Sequence, residues 1–284
     1  MSGATPSSRL LELGTNRPEV EVLEAGEGPP LLFLHGAGGV PTWDGALPHL
    51  ARAFHVYAPL LPGFGRSTGL ELLEDQWDLF LHGFDVMEAL GIERPYVVGE
   101  SMGGWLAAEM GALRPKEIGR LALAAPIGLW RDDAPVVDLF GHMTHELVPY
   151  LFHDPSCPPA QAMLAMTNLM SDKDDRTEEQ VELLIGLVRG FRTVAKFLFP
   201  IPEHGLEKRL PRITAPTLVL WGRGDRFMSP SYADILRARI PDVQVEMLPE
   251  AGHLIGLEQP ESYARALLRF GGEGSPMARD PRFH

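Results

Sequence analysis

With a single cysteine, Cys157, in 284 residues, the chain has no partner for an intrachain disulfide, and nothing in it demands an oxidising compartment. It lacks any run close to the ~20 apolar residues of a membrane span. The opening stretch, "MSGATPSSRLLELG", lacks the basic start and sustained apolar run of a secretory leader. The expectation is a soluble, cytoplasmic protein. Positive charge is also scarce. Lysine and arginine total 25 against 38 acidic residues, a net charge of −13. Such a surface repels phosphate backbones and anionic lipid, so neither nucleic acid nor a membrane is the expected partner. No internal repeat is visible.

What is present fits a globular chain: 45% hydrophobic and 22% charged residues. A chain this long can bury ~75% of its unfolded surface, enough for one large core or a core plus a small subdomain. Short apolar runs recur at Leu31–Leu34, His55–Ala58, Tyr96–Val98, Leu121–Ala125, Thr217–Trp221 and Val243–Leu248. Their length and unbroken apolar character suit strands covered on both faces. Helical patterns lie between them. Trp77, Phe80, Phe84 and Met87 recur at three- and four-residue steps, and Met102–Leu113 stops before Pro115. Ser229-Pro230 reads as a helix start, that helix ends before Pro241, and a last helix carries Tyr263, Leu267 and Phe270. Alternating strand and helix predicts an α/β fold, a mainly parallel sheet with helices on both faces.

The alternation breaks between about Trp130 and Leu206, where helical patterns rich in Met, Leu and Phe dominate. Thr177-Glu178-Glu179-Gln180 there resembles a capping box. The expected organisation is a core of residues 1–129 and 207–284 with residues 130–206 inserted as a helical unit. The Gly/Pro-rich end from Gly271 reads as a mobile tail. Asp172, Asp174 and Asp175 lie close together, but a calcium loop counted from Asp172 would want glycine where Thr177 stands, so a solvated loop is expected. His142 and His145 have no acidic or histidine partner at the spacing of a zinc helix, so no metal is assigned.

The chemistry concentrates around "VVGESMGGW", Val97 to Trp105, where a strand gives way to a helix. A serine hydroxyl is a weak nucleophile that needs a base and must project toward its substrate. A sharp strand-to-helix turn projects Ser101, and such a turn brings backbones so close that only glycine fits at Gly99 and Gly103. The helix N-terminus also aims free N–H groups at a reacting carbonyl oxygen. Acyl transfer needs two such donors. Met102 supplies one; Ala37, in the His35-Gly36-Ala37-Gly38-Gly39 loop after an earlier strand, is the candidate for the other. His35 itself reads as a residue that fixes this loop. A base and an acid should lie at strand ends on the same edge. Asp225 follows the strand in "TLVLWGRGDRF", and His253 lies between the last strand and last helix in "VQVEMLPEAGHLIGLEQPE". Glu246, Glu250 and Asp242 are weaker candidates for the acid.

Together "FLHGAGG", "LLPGFGRS", "VVGESMGG", "LVLWGRGD" and "EAGHLIGLEQPE", spread over roughly residues 20 to 270, resemble the α/β-hydrolase fold superfamily with a helical cap. The resemblance implies Ser101 as nucleophile, His253 as base and Asp225 as orienting acid, an oxyanion hole at Ala37 and Met102, and residues 130–206 as the cap. It implies no cofactor. Pro62 to Ser67 matches a structural turn of the family. A serine at position 101 disfavours dehalogenases and epoxide hydrolases, which use aspartate. Hydrolases of carbon–carbon bonds in ring-fission products share the serine, "SMGG" and a Gly-rich oxyanion loop, but often carry an aromatic residue where Leu254 stands.

The function expected is cleavage of a carboxylic ester or similar acyl compound through an acyl-enzyme. The alternatives are carbon–carbon hydrolysis of a vinylogous diketone by the same residues, and a hydrolase-fold ligand receptor. The partner is a small molecule with an apolar group, held by a candidate pocket of Gly38, Trp105, Phe140, Met143 and Met166. Leu139, Leu147, Leu151, Phe152, Met163 and Met170 divide between that lining and the cap's own core. Methionine-rich walls adapt to varied shapes.

Overall fold

The structure is a computed structural model that describes residues 5–40, 43–171, 176–201 and 204–272, with side chains described except at 167–171. The acidic run Asp172, Asp174 and Asp175, the side chain of Met170 and the tail from 273 lie outside the described residues. Eight strands form one sheet: β1 Ser7–Glu12, β2 Glu19–Ala25, β3 Pro30–Leu34, β4 His55–Pro59, β5 Tyr96–Glu100, β6 Arg120–Ala124, β7 Thr217–Gly222 and β8 Val243–Leu248. Their order is β1-β2-β4-β3-β5-β6-β7-β8. Strands β1, β2 and β4 pair antiparallel, and every pairing from β4 to β8 is parallel. The six strands of the parallel part, β3 to β8, lie where the sequence places them. The β1–β2 hairpin is an addition to that reading.

Ten α-helices are described: α1 Leu47–Leu50, α2 Gln76–Leu90, α3 Met102–Leu113, α4 Thr144–Leu151, α5 Pro158–Ser171, α6 Glu178–Leu198, α7 Leu206–Arg209, α8 Tyr232–Arg239, α9 Ile255–Glu258 and α10 Pro260–Gly272. The start expected at Ser229-Pro230 lies two residues early. Tyr232 and Ala233 donate back to the carbonyls of Ser229 and Pro230 in tighter turns before α8 begins. In α6 the capping box is present: Thr177 Oγ1 accepts from Gln180 N at 3.3 Å, and Gln180 Oε1 accepts from Thr177 N at 3.0 Å.

Each parallel strand feeds two cores, because successive side chains point to opposite faces. Leu32, Leu34, Val97, Leu121, Leu123 and Val219 face one side, against α2, α3 and α8 through Phe80, Phe84, Leu106 and Leu236. Leu31, Phe33, Val98, Ala122, Leu218 and Leu220 face the other, against α1 and α10 through Leu50, Tyr263, Leu267 and Phe270. Burying each of these large side chains is worth ~1.5–3 kcal/mol, so both faces of the sheet are covered at a gain.

The order in which strands are added reverses at β3. From there the chain goes to β4 on one side and later to β5 on the other, while Leu34 and Gly99 pair across β3 and β5. Loops leaving two neighbouring strands in opposite directions open a crevice at their carboxyl ends, where ligands of open α/β sheets bind. The loop after β3 holds His35–Gly39, and the turn after β5 holds Ser101.

Candidate active site

Ser101 sits between β5 and α3 with φ 51° and ψ −110°. A non-glycine residue in this region carries strain of order 1–3 kcal/mol and persists only where its surroundings fix it. Three backbone hydrogen bonds do so here. Ser101 N donates to Ala124 O, while Ser101 O accepts from Trp105 N and Ile127 N. The flanking glycines are sterically required. A Cβ on Gly99 would run into the Gly103 carbonyl, and one on Gly103 into the Leu34 carbonyl.

The hydroxyl meets a row of buried groups. His253 Nε2 lies 2.9 Å from Ser101 Oγ, and His253 Nδ1 lies 2.9 Å from Asp225 Oδ2. Asp225 Oδ2 also accepts from Trp221 Nε1 at 2.9 Å, and Oδ1 accepts from the N–H groups of Phe227 and Met228, each at 2.9 Å. Three N–H donors around one carboxyl, from Trp221, Phe227 and Met228, suit the ionised form, which only accepts. Nδ1 of His253 therefore carries the proton, and Nε2 is left to accept from the serine. The three sequence candidates are brought together. Glu246 instead pairs with Arg269, and Glu250 and Asp242 are exposed.

The second donor loop lies alongside. A Cβ on Gly36 would sit 3.4 Å from Ser101 Cβ, so the loop that holds Ala37 passes next to the Ser101 turn. Met102 opens α3, so its N–H has no intrahelical acceptor. His35 fixes the loop: Nδ1 bonds Gly36 O at 2.7 Å, and Nε2 accepts from Leu61 N at 3.0 Å. Phe64 packs against His35, with ring centroids 4.7 Å apart. In the "PGFGRS" turn, Ser67 Oγ donates to Leu60 O and accepts from Glu21 N.

The inserted helices touch this edge of the sheet. Leu151 O, at the end of α4, accepts from His253 N at 2.8 Å, and Val137 N donates to Phe227 O. On α6, Gly190 packs against Phe64. Phe140 is half-buried in a cluster with Phe191 and Phe199. Met166 is half-buried on α5, and Gly38 is exposed. Two expected pocket residues need correcting. Trp105 has no accessible surface; α3 turns it inward, where it stacks on His204 and donates to Glu109 at 3.2 Å. Met143 is 61% exposed, because α4 begins one residue after it and leaves it outside the packed face. His142 bonds Asp138 O, and no cluster of three metal-ligating side chains occurs among the described residues. No helix among them is long and apolar enough to cross a membrane.

A family model described as the alpha/beta hydrolase fold matches residues 29–260. The chain belongs to this family. Among its relatives, the 2-hydroxy-6-oxo-6-phenylhexa-2,4-dienoate hydrolase of Burkholderia cepacia is 29% identical over 93% of this chain and 94% of the relative. The monoacylglycerol lipase ABHD6 of Homo sapiens is 29% identical over 86% of this chain and 76% of the lipase. Among solved structures, a serine hydrolase involved in carbazole degradation shares the fold with a TM-score of 0.73. That match has 24% identity and covers 95% of this chain and all of that one.

Two buried histidines and the half-buried Glu100 give the hydrolase a pH-dependent stability. Burial lowers His35 and His82 from 6.5 to about 4, and raises Glu100, next to Ser101, to about 7. The folded state holds both histidines neutral, so their contribution is present above about pH 6.5 and is lost as pH falls toward 4. Glu100 has the opposite sign. Its contribution is present below its ordinary 4.5 and is lost as pH rises through 7. Two groups outweigh one, so these groups should raise stability by on the order of 3 kcal/mol from pH 4.5 to 6.5. Urea unfolding across this range checks it: His82→Leu should flatten the rise and Glu100→Gln should steepen it. An unchanged slope in both variants would contradict the assignment.

Proposed function

We propose that the protein is a serine hydrolase that cleaves a carboxylic ester or similar acyl compound through an acyl-enzyme. The observation that carries this reading is the hydrogen-bonded row Ser101–His253–Asp225 beneath the switch point of the sheet. His253 Nε2 takes the proton of Ser101 as Oγ attacks the carbonyl carbon. Asp225 holds the imidazole in the required tautomer and offsets its charge once protonated. The N–H groups of Ala37 and Met102 receive the oxyanion. The imidazolium then protonates the departing alcohol. Water, deprotonated by His253, attacks the acyl-enzyme, and the acid leaves as Ser101 regains its proton.

Residues 130–206 act as the cap in this reading. Their contacts to the Phe227 and His253 loops support it, and a cap strengthens electrostatics by excluding water. Half-buried Phe140 and Met166 favour an apolar group on the substrate. A second reading, carbon–carbon hydrolysis of a vinylogous diketone, is favoured by relatives named for such substrates that span nearly the whole chain. Leu254, beside His253, keeps it second.

Labelling with a small fluorophosphonate, followed by peptide mapping, should place the label on Ser101. A panel of p-nitrophenyl esters set beside a dienoate diketone then separates the readings. Higher kcat/KM on esters is expected. Higher kcat/KM on the diketone would replace the ester reading, and tight binding with negligible turnover of either would favour a receptor.

A further inference from the structure

The loop that carries His253 is fastened to the inserted helices rather than to the sheet alone. Leu151 O accepts from both His253 N and Leu254 N, at 2.8 and 3.2 Å. Across the same joint lies one carboxylate, Glu258, at the end of α9. Its Oε1 accepts from His153 N at 2.8 Å and Asp154 N at 3.1 Å, and its Oε2 accepts from Gly252 N at 2.5 Å. One side chain thus joins the chain just past α4 to the residue preceding His253. Gly252 allows the approach: a Cβ there would lie 2.6 Å from both His153 N and Leu151 O. The His153 ring in turn packs against Gly224, next to Asp225. The segment after α4 is therefore wedged between the loops that bear acid and base.

We propose that Glu258 is a positioning residue for His253, coupling the place of the imidazole to the inserted helices. The proposal rests on His253 being the base. A carboxylate suits the joint because both of its oxygens accept and neither donates. Glutamine in its place must turn an NH2 toward one set of backbone N–H groups. With the amide oxygen kept on the two N–H groups of His153 and Asp154, Gly252 N loses its acceptor, and the backbone beside His253 is freed. A base displaced by about 1 Å can cost a rate factor of ~10².

Two variants open the joint from opposite sides. Glu258→Gln removes an acceptor, and Gly252→Ala pushes the segments apart while leaving Glu258 in place. In each, kcat on an activated p-nitrophenyl ester and the rate of fluorophosphonate labelling should both fall ~10- to 100-fold, with KM changed by no more than about twofold. Thermal melting monitors folding. A brace that serves stability alone would lower Tm and leave kcat and the labelling rate within about twofold in whichever variant folds, and that result overturns the proposal. A wild-type protein that the phosphonate does not label overturns the serine-hydrolase reading and this inference with it. A labelled wild type with equally fast variants overturns the inference alone.

Discussion

Ser101→Ala is expected to abolish turnover while the fold survives. The three hydrogen bonds that fix the strained turn involve the Ser101 backbone, and alanine keeps all of them together with the Cβ. Only Oγ is lost, and with it the group that His253 Nε2 faces. Loss of the nucleophile in another serine hydrolase costs ~10⁶ in kcat, and a fall of this order is expected here. Tm should move by no more than a few degrees, since the change removes one partly accessible hydroxyl. Ester turnover and intact mass after phosphonate treatment check both halves. A variant that kept about a tenth of wild-type turnover would show that Ser101 is not the nucleophile.

The parts of the fold legible in the sequence are those whose burial is locally encoded. β3, β5, β6 and β7 read as short apolar runs because both of their faces are covered. β1 was not legible: only Leu11 of its six residues is buried, so no pattern marks it. β2 left a usable signal in Glu19-Val20-Glu21-Val22, where Val20 and Val22 are buried and alternate with acids. Glu21 obscures it, being itself held inward by Ser8 and Arg66.

The site divides in the same way. Ser101, Asp225 and His253 stand at the carboxyl ends of strands, where motif and topology agree. The bonds from Phe227 N and Met228 N to Asp225 form a local turn that an aspartate at the head of "DRFM" could have announced. Trp221 Nε1 and the Glu258 joint could not be read, because each depends on how distant segments meet. Trp105 misleads for a related reason. It lies next to the turn in sequence, yet the rotation of α3 sends it to the core.

Asp225→Asn should slow turnover by on the order of 10⁴, the factor seen when the corresponding change is made in another serine hydrolase. The reason lies in which oxygen serves which donor. Oδ1 takes two backbone N–H groups that cannot turn away, and Oδ2 takes Trp221 Nε1 and His253 Nδ1. Asparagine must put its NH2 in one of these places. Against the backbone pair it would leave two buried N–H groups unpaired, at ~1–3 kcal/mol each. Against Oδ2's partners it displaces the indole bond, but the imidazole can adapt by moving its proton to Nε2. The second arrangement costs less. It leaves a donor facing Ser101 Oγ where an acceptor is needed, so the serine proton has nowhere to go. The fall should therefore appear in kcat and in the phosphonate labelling rate alike, with KM little changed. Glu246→Gln, which disturbs only the pair with Arg269, should leave both rates near wild type. Wild-type rates in Asp225→Asn together with an inactive Glu246→Gln would move the acid role to Glu246 and break the row on which the proposed chemistry stands.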